Sequence, residues 1–281
     1  MERRPFGSTG ASVVRIGLGT WQMEGDDRTA ALAALRAGLD SGMKHVDTAE
    51  LYGSGRVESI VADAIEGRRD EIFLVSKVIP SNASKRGTIA ACEKSLKRLR
   101  TDRLDCYLLH WPGSHPLEET IAGFDALRAA GKIRSWGVSN FDEEELARAV
   151  ALAGPGALAC NQVLYHLAER AIEHAVVPFC ERHGIAVVGY TPFGVGAFPP
   201  GGAAGARVLG AIADKHGASA RQVALAFLTR RPFLFGIPKS SRAEHARDNA
   251  RAGTLSLDAA DEAAIEAAFP LGRRRRGVPT L

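Results

Sequence analysis

The sequence predicts a (β/α)8 (TIM) barrel with a β-hairpin at its bottom, and three observations lead there. Eight short apolar runs recur along the chain, near residues 16–19, 44–47, 72–77, 105–109, 133–138, 158–162, 185–189 and 234–237. The stretches between them carry the period of amphipathic helices, so strand and helix alternate. No linker rich in Pro, Gly or Ser divides the chain. In about 250 residues without one, a parallel sheet closes most economically on itself. Residues 1–281 are therefore read as one domain with a short basic tail at 271–281.

The elements follow in order. Arg4 to Arg15 form two short extended pieces around a Gly-centred turn, a hairpin suited to plugging the barrel's bottom. The first strand runs into Gly17-Leu18-Gly19-Thr20-Trp21-Gln22, which has two glycines of the GxGxxG dinucleotide fingerprint but Gln at the third position. No P-loop occurs either, so a doubly wound sheet is the weaker reading. Asp26-Asp27 offer an N-terminal cap before the apolar stripe Leu32, Leu35 and Leu39. Ile89, Cys92, Leu96 and Leu99 make a second stripe of helical period. The longest break in the rhythm, 190–234, holds a Gly/Pro/Ala loop from Gly194 to Gly205 and then two helices near 206–216 and 219–230. A last helix is expected near Ala259–Phe269.

Composition excludes several classes of function. Lys plus Arg is 36 and Asp plus Glu is 32, an excess of +4 that Arg273 to Arg276 supply by themselves. The basic balance thus belongs to a tail, read as solvated, on an electroneutral body. No basic stripe runs between aromatics, so no nucleic-acid partner is expected. Hydrophobic residues at 46% and charged residues at 24% describe a globular chain. Cys92, Cys106, Cys160 and Cys180 lie far apart without a CxxC, the pattern of reduced, buried thiols in a cytoplasmic protein. No apolar run follows the charged Met1-Glu2-Arg3-Arg4, and none is long enough to span a bilayer, so no membrane partner is expected.

Several of the apolar runs end in a polar group, and in a parallel barrel all those ends share the catalytic face. They are Asp47 with Tyr52 five residues on, Lys77, His110, Ser139-Asn140, Gln162, Tyr190 and Lys239-Ser240. Any one of them could be an ordinary polar strand end; their convergence on one rim is what carries weight. Asp47, Tyr52, Lys77 and His110 form a coherent chemical set. A phenol has a pKa near 10, and a neighbouring ammonium lowers it. A buried Lys77 needs an anion such as Asp47. His110 could orient a carbonyl oxygen or help move its proton. Such a set protonates a carbonyl oxygen as hydride arrives at carbon, and the hydride must come from a nicotinamide cofactor.

The motifs resemble those of the aldo-keto reductases over about residues 5–270. Gly42-Met43-Lys44-His45-Val46-Asp47-Thr48-Ala49-Glu50-Leu51-Tyr52 is similar to that family's G-x-x-H-[IV]-D-T-A-x-x-Y signature. Phe73-Leu74-Val75-Ser76-Lys77 resembles its lysine strand, and Asp105-Cys106-Tyr107-Leu108-Leu109-His110-Trp111-Pro112 its histidine strand. Gly137-Val138-Ser139-Asn140-Phe141 and Ile237-Pro238-Lys239-Ser240 are similar to its cofactor motifs.

The resemblance implies roles. Tyr52 would donate the proton, Lys77 and Asp47 would lower its pKa, and His110 would orient the substrate. Ser139, Asn140 and Gln162 would hold the nicotinamide carboxamide, with Tyr190 stacked on the ring. Thr20, Trp21 and Asp47 would touch the cofactor, while Thr191, Phe193, Gly194 and the loop beyond would cover its pyrophosphate. Ile237, Lys239, Ser240, Ser241, Arg242, His245 and Asn249 would surround the adenosine end. Trp21, Leu51, Tyr52, His110 and Trp111 would wall the substrate pocket. The cofactor implied is NADPH. His245 stands where many members have an arginine for the 2′-phosphate, and histidine is a weaker, pH-dependent cation, so NADH is the alternative.

Asn161 to Arg170 resemble a bacterial branch that includes proposed methylglyoxal reductases. The short stretch after the last helix is expected to leave the pocket open, suiting small aldehydes and α-dicarbonyls. Many relatives are monomers, and a monomer is expected here. His45 reads as a satisfied core histidine, and Cys92, Tyr107 and Trp136 as core. Cys106 and His110 lack further ligands at suitable spacing, and His110 and His115 have no carboxylate set near them, so no metal is expected. Two rivals remain: a barrel aldolase in which Lys77 forms a Schiff base, and a non-catalytic nicotinamide-binding regulatory subunit.

Overall fold

Ten strands and ten α-helices follow one another in the computed structural model, which describes residues 1–196, 198–274 and 276–281. Ala197 of the Gly/Pro/Ala loop and Arg275 of the basic run lie outside the described residues. The strands are β1 (Arg3–Pro5), β2 (Ser12–Val14), β3 (Leu18–Gly19), β4 (His45–Asp47), β5 (Phe73–Val78), β6 (Leu104–Leu109), β7 (Ile133–Ser139), β8 (Leu158–Leu164), β9 (Ala186–Tyr190) and β10 (Leu234–Ile237). The helices are α1 (Arg28–Asp40), α2 (Arg56–Ala64), α3 (Lys85–Leu99), α4 (Leu117–Ala129), α5 (Glu143–Ala153), α6 (Val176–Arg182), α7 (Gly202–His216), α8 (Ala220–Leu228), α9 (Ala243–Arg251) and α10 (Ala259–Ala268). Strands β3 to β10 pair in chain order, all parallel. Parallel bridges from Ile16 to Gly236 and from Gly19 to Lys239 bring the first and last strands together and close the barrel.

Each expected run is a strand, with bounds shifted by a residue or two. The run near 16–19 contributes only Leu18 and Gly19 to the ladder. Strands β1 and β2 pair antiparallel and form the expected hairpin. Phe6, next in the chain after β1, is fully buried and packs with Val75, Cys106, Leu108, Cys160, Val188 and Phe235 in the barrel's interior core. Two buried arginines fasten the hairpin. Arg4 donates to the carbonyls of Thr229 and Arg231 at 2.6 and 2.7 Å, and Arg15 to those of Ala252 and Leu255, each at 2.6 Å. These carbonyls lie at or beyond helix ends, where acceptors have no partner of their own.

Helix α1 is capped by Asp27, whose Oδ1 accepts from the Ala30 amide at 2.9 Å. Asp26 takes no part in the cap. The helix buries Ala31, Ala34, Leu35, Gly38 and Leu39, while Leu32 is only half-buried. A β-carbon at Gly38 would come within 2.6 Å of the Leu18 side chain, so α1 packs closely on β3 at this glycine. Helix α9 was not isolated by the sequence pattern. Its buried face carries Ala246, Asn249 and Ala250, too small and polar to register as an apolar stripe.

His45 is in the core, as expected, but it is not satisfied. Its ring meets Phe6 and Phe73 edge-on with centroids 5.8 and 5.5 Å away, and neither ring nitrogen finds a hydrogen-bond partner among the described residues. Burial, helped by the charge of Lys77, pushes its pKa down to about 3. An unfolded histidine takes up a proton near pH 6.5, which the native state refuses, so stability falls as pH drops below that value. Between pH 7 and pH 5 this residue should remove about 2 kcal/mol of stability. His45→Phe should lose correspondingly less over that interval in urea unfolding. Equal pH slopes for the two proteins would contradict a native, neutral His45.

Candidate active site

The parallel ladder carries the C-terminal ends of the strands to one mouth. Asp47 ends β4, Lys77 is the next-to-last residue of β5, and His110 follows β6. Ser139, Tyr190 and Ile237 end β7, β9 and β10, and Gln162 lies within β8. Tyr52 reaches the mouth from the turn after β4, where Gly53 and Ser54 both take left-handed backbone, with φ of 55° and 54°. A side chain at Gly53 would strike Glu24, its β-carbon 2.6 Å from that residue's Cβ, so the turn that aims the tyrosine depends on glycine. Five non-glycine residues among those described have positive φ, and four of them, Gln22, Ser54, Asn140 and Thr191, lie in this turn or line the mouth. Strained backbone concentrated in this way marks a site held by its surroundings.

Lys77 is wholly buried beneath the cavity. Its Nζ lies 2.5 Å from Asp47 Oδ1, 2.9 Å from the Thr48 carbonyl and 3.2 Å from the Tyr52 hydroxyl oxygen. An ammonium has three protons, and three acceptors receive them. Asp47 Oδ2 in turn accepts from Gln162 Nε2 at 2.7 Å. Both carboxylate oxygens are therefore met by donors, the arrangement of an ionised pair. Because Lys77 donates to the tyrosine oxygen, the phenol's own proton is free for a partner in the cavity.

Electrostatics refine what the sequence suggested. Burial raises the Tyr52 pKa above its usual value, and Lys77 offsets only part of that rise. The expected net lowering by the lysine is thus reversed by desolvation, which leaves a neutral phenol at neutral pH. Burial is the largest single influence and lowers the Lys77 pKa, but the attractions and hydrogen bonds of Asp47 and Tyr52 together outweigh it and hold the amine above its ordinary value. A charged amine behind Tyr52, absent from the cavity lining, cannot reach a substrate to form a Schiff base. That removes the aldolase reading. His110 is pushed down to about 2, first by burial and then by Lys77. It is neutral at working pH, which suits orienting a carbonyl and not relaying its proton. Its Nδ1 is buried and has no partner among the described residues.

Asn140 ties the rim together. Its Nδ2 donates to the His110 carbonyl at 3.1 Å, and its Oδ1 accepts from the Tyr190 hydroxyl at 2.9 Å. Ser139 Oγ donates to the Gln162 carbonyl at 2.8 Å. Above this floor lies a cavity of about 1030 Å³, and a second of about 290 Å³ adjoins it. Lys77 aside, every residue singled out from the sequence for catalysis, cofactor or substrate lines one or the other. The volume suits an extended dinucleotide with a small second ligand. Asn249 Oδ1, buried and without a partner among the described residues, is an acceptor in the smaller cavity for a polar ligand. Trp21, Leu51 and Trp111 are among the most exposed large apolar side chains and wall the mouth.

Four features escaped the sequence. Gly277, Val278, Thr280 and Leu281 line the larger cavity, so the segment after the last helix returns over the mouth and the site is less open than expected. Within the basic run, Arg274 is exposed and pairs with Glu143 at 3.0 Å. Asp26 reaches the adenosine-side residues, with Oδ2 2.7 Å from Lys239 Nζ and accepting from Ser241 Oγ at 2.5 Å. Arg221, from α8, lines the smaller cavity. No local motif announced any of the four, because their partners come from distant parts of the chain.

The aldo/keto reductase family profile matches residues 15–269. The chain is similar to Methylglyoxal reductase YeaE of Escherichia coli (strain K12), 42% identical over 261 residues and covering 92% of each chain. It is also similar to the Glyoxal reductase of Bacillus subtilis (strain 168), 32% identical over 264 residues, with 92% of this chain and 90% of that one covered. Among solved structures, the aldo/keto reductase from Klebsiella pneumoniae in complex with NADP and acetate superposes with a TM-score of 0.92 at 40% identity, over 100% of both chains.

Proposed function

Because this chain belongs to the aldo/keto reductase family, we propose that it uses NADPH to reduce small aldehydes and α-dicarbonyls of the methylglyoxal kind to alcohols. One observation carries the reading: Lys77 donates to the oxygen of Tyr52, which lines the cavity, so the phenol proton is available to a ligand there. The substrate class is supported by the methylglyoxal and glyoxal reductases among the relatives. NADPH is supported by the cations that line the smaller cavity and by the NADP in the Klebsiella pneumoniae relative.

The cofactor supplies hydride from its nicotinamide ring. Everything else falls to the chain's own residues. Ser139, Asn140 and Gln162 would hold the carboxamide, and the Tyr190 ring would back the nicotinamide. Neutral His110 directs the carbonyl oxygen toward Tyr52. The Tyr52 hydroxyl gives its proton to that oxygen as negative charge develops there. Lys77 stabilises the resulting phenolate, and Asp47 keeps Lys77 charged and in place. Trp21, Leu51 and Trp111 shield the reacting carbonyl from water. No described helix is long and apolar enough to cross a membrane, and all four cysteines are free and buried. Work as a cytoplasmic monomer completes the reading.

The test is the initial rate of NADPH and NADH oxidation with methylglyoxal, phenylglyoxal, a nitrobenzaldehyde, a simple ketone and a sugar aldehyde. Turnover of the dicarbonyls, faster with NADPH, is expected. Binding of cofactor with no turnover of any carbonyl would favour the regulatory-subunit reading instead.

A further inference from the structure

The smaller cavity shares Phe193 and Lys239 with the larger one and is lined by four basic side chains, Arg221, Lys239, Arg242 and His245. They are not equally available. Lys239 is engaged by Asp26 at 2.7 Å and donates to Ser241 Oγ at 2.6 Å. Arg242 is paired with Glu244 at 2.5 Å. His245 is an imidazole, a weaker cation than a guanidinium. Arg221 is exposed at the first turn of α8, and no carboxylate pairs with it among the described residues. Its guanidinium carbon lies 5.4 Å from the Phe193 ring centroid and 5.3 Å from that of Phe198. Two aromatic faces thus restrict the side chain while leaving guanidinium N–H groups for a planar, bidentate acceptor.

The hydride donor must sit beside Tyr52, so the nicotinamide end of a dinucleotide belongs in the larger cavity. An extended cofactor anchored there has the adjoining cationic cavity for its adenosine end. Resting on the reductase reading, we infer that Arg221 recognises the 2′-phosphate of NADPH and sets the preference for it over NADH. The residue supplies from α8 the guanidinium that position 245 lacks. A phosphate held by a pre-stacked arginine gains a charge-assisted, two-point contact, whereas a 2′-hydroxyl gains no comparable charge pairing.

The test measures dissociation constants of NADPH, NADH, adenosine 2′,5′-bisphosphate and AMP for the wild type, Arg221→Gln and Arg221→Lys. Arg221→Gln is expected to weaken NADPH and the bisphosphate by roughly ten- to a hundredfold while moving NADH and AMP by less than about twofold. Arg221→Lys should recover part of that loss by keeping the charge without the fork. A parallel loss for NADPH and NADH would mean that Arg221 only braces the loop of Phe193 and Phe198, and would overturn the inference. Unchanged affinities would overturn it as well. A wild type that binds neither dinucleotide would bring down the reductase reading, and the inference with it.

Discussion

Replacing Tyr52 by Phe is expected to yield a folded, cofactor-binding protein whose carbonyl reduction has dropped by roughly 10²–10⁴ in kcat. The substitution removes one oxygen and its proton and little else. The ring can keep its edge contact with His110, whose centroid lies 5.7 Å away. Lys77 loses its weakest acceptor, at 3.2 Å, and keeps Asp47 and the Thr48 carbonyl. Cofactor affinity should change little, so steady-state rates and cofactor titration together separate lost chemistry from lost binding. A near-wild-type kcat would exclude Tyr52 as the acid. The pH dependence has a definite sign. Burial sets the phenol's pKa above its ordinary value, so the proton is present through the neutral range. The wild-type rate attributable to this proton should hold level there and decline only in strongly alkaline solution.

The Lys77–Asp47 pair gives the second large effect. Lys77→Met should leave Asp47 buried without its ammonium partner and cost about 3–5 kcal/mol of stability along with most of the activity. Asp47→Asn should cost a comparable amount, because the ammonium then lies buried without a counter-charge. The double variant removes both charges, and the asparagine oxygen can still accept from Gln162. Its stability is expected to return toward the wild type while its activity does not. Denaturant unfolding and kcat on the four proteins close the cycle. Costs that simply add in the double variant would show that the two groups are not coupled.

Much of the barrel was legible because a strand buried on both faces is written as a short, nearly continuous apolar run. Val46, Leu74, Leu108 and Val187 stand in such runs, and each is buried. The tetrad was legible for a related reason. A parallel sheet collects strand ends on one rim, so a polar residue at the end of an apolar run is already placed relative to the others. Helix α9 was not legible, because its buried face holds small and polar side chains. Asp26 was read as part of a cap through its neighbour Asp27, yet its carboxylate belongs to Lys239 and Ser241.

Periodicity and the chemistry of strand ends thus determined the architecture and singled out Asp47, Lys77 and His110 as candidates, with Tyr52 five residues beyond a strand end. Both are carried by order along the chain, and order survives in the sequence. The balance of forces on those groups was decided only in three dimensions. Burial outweighs Lys77 in setting the Tyr52 pKa, His110 is held neutral, and His45 is left without a hydrogen-bond partner among the described residues. Arg221 and the returning segment at 277–281 enter the site in the same way. Desolvation and contact depend on what surrounds an atom, and most of those surroundings come from residues far away along the chain.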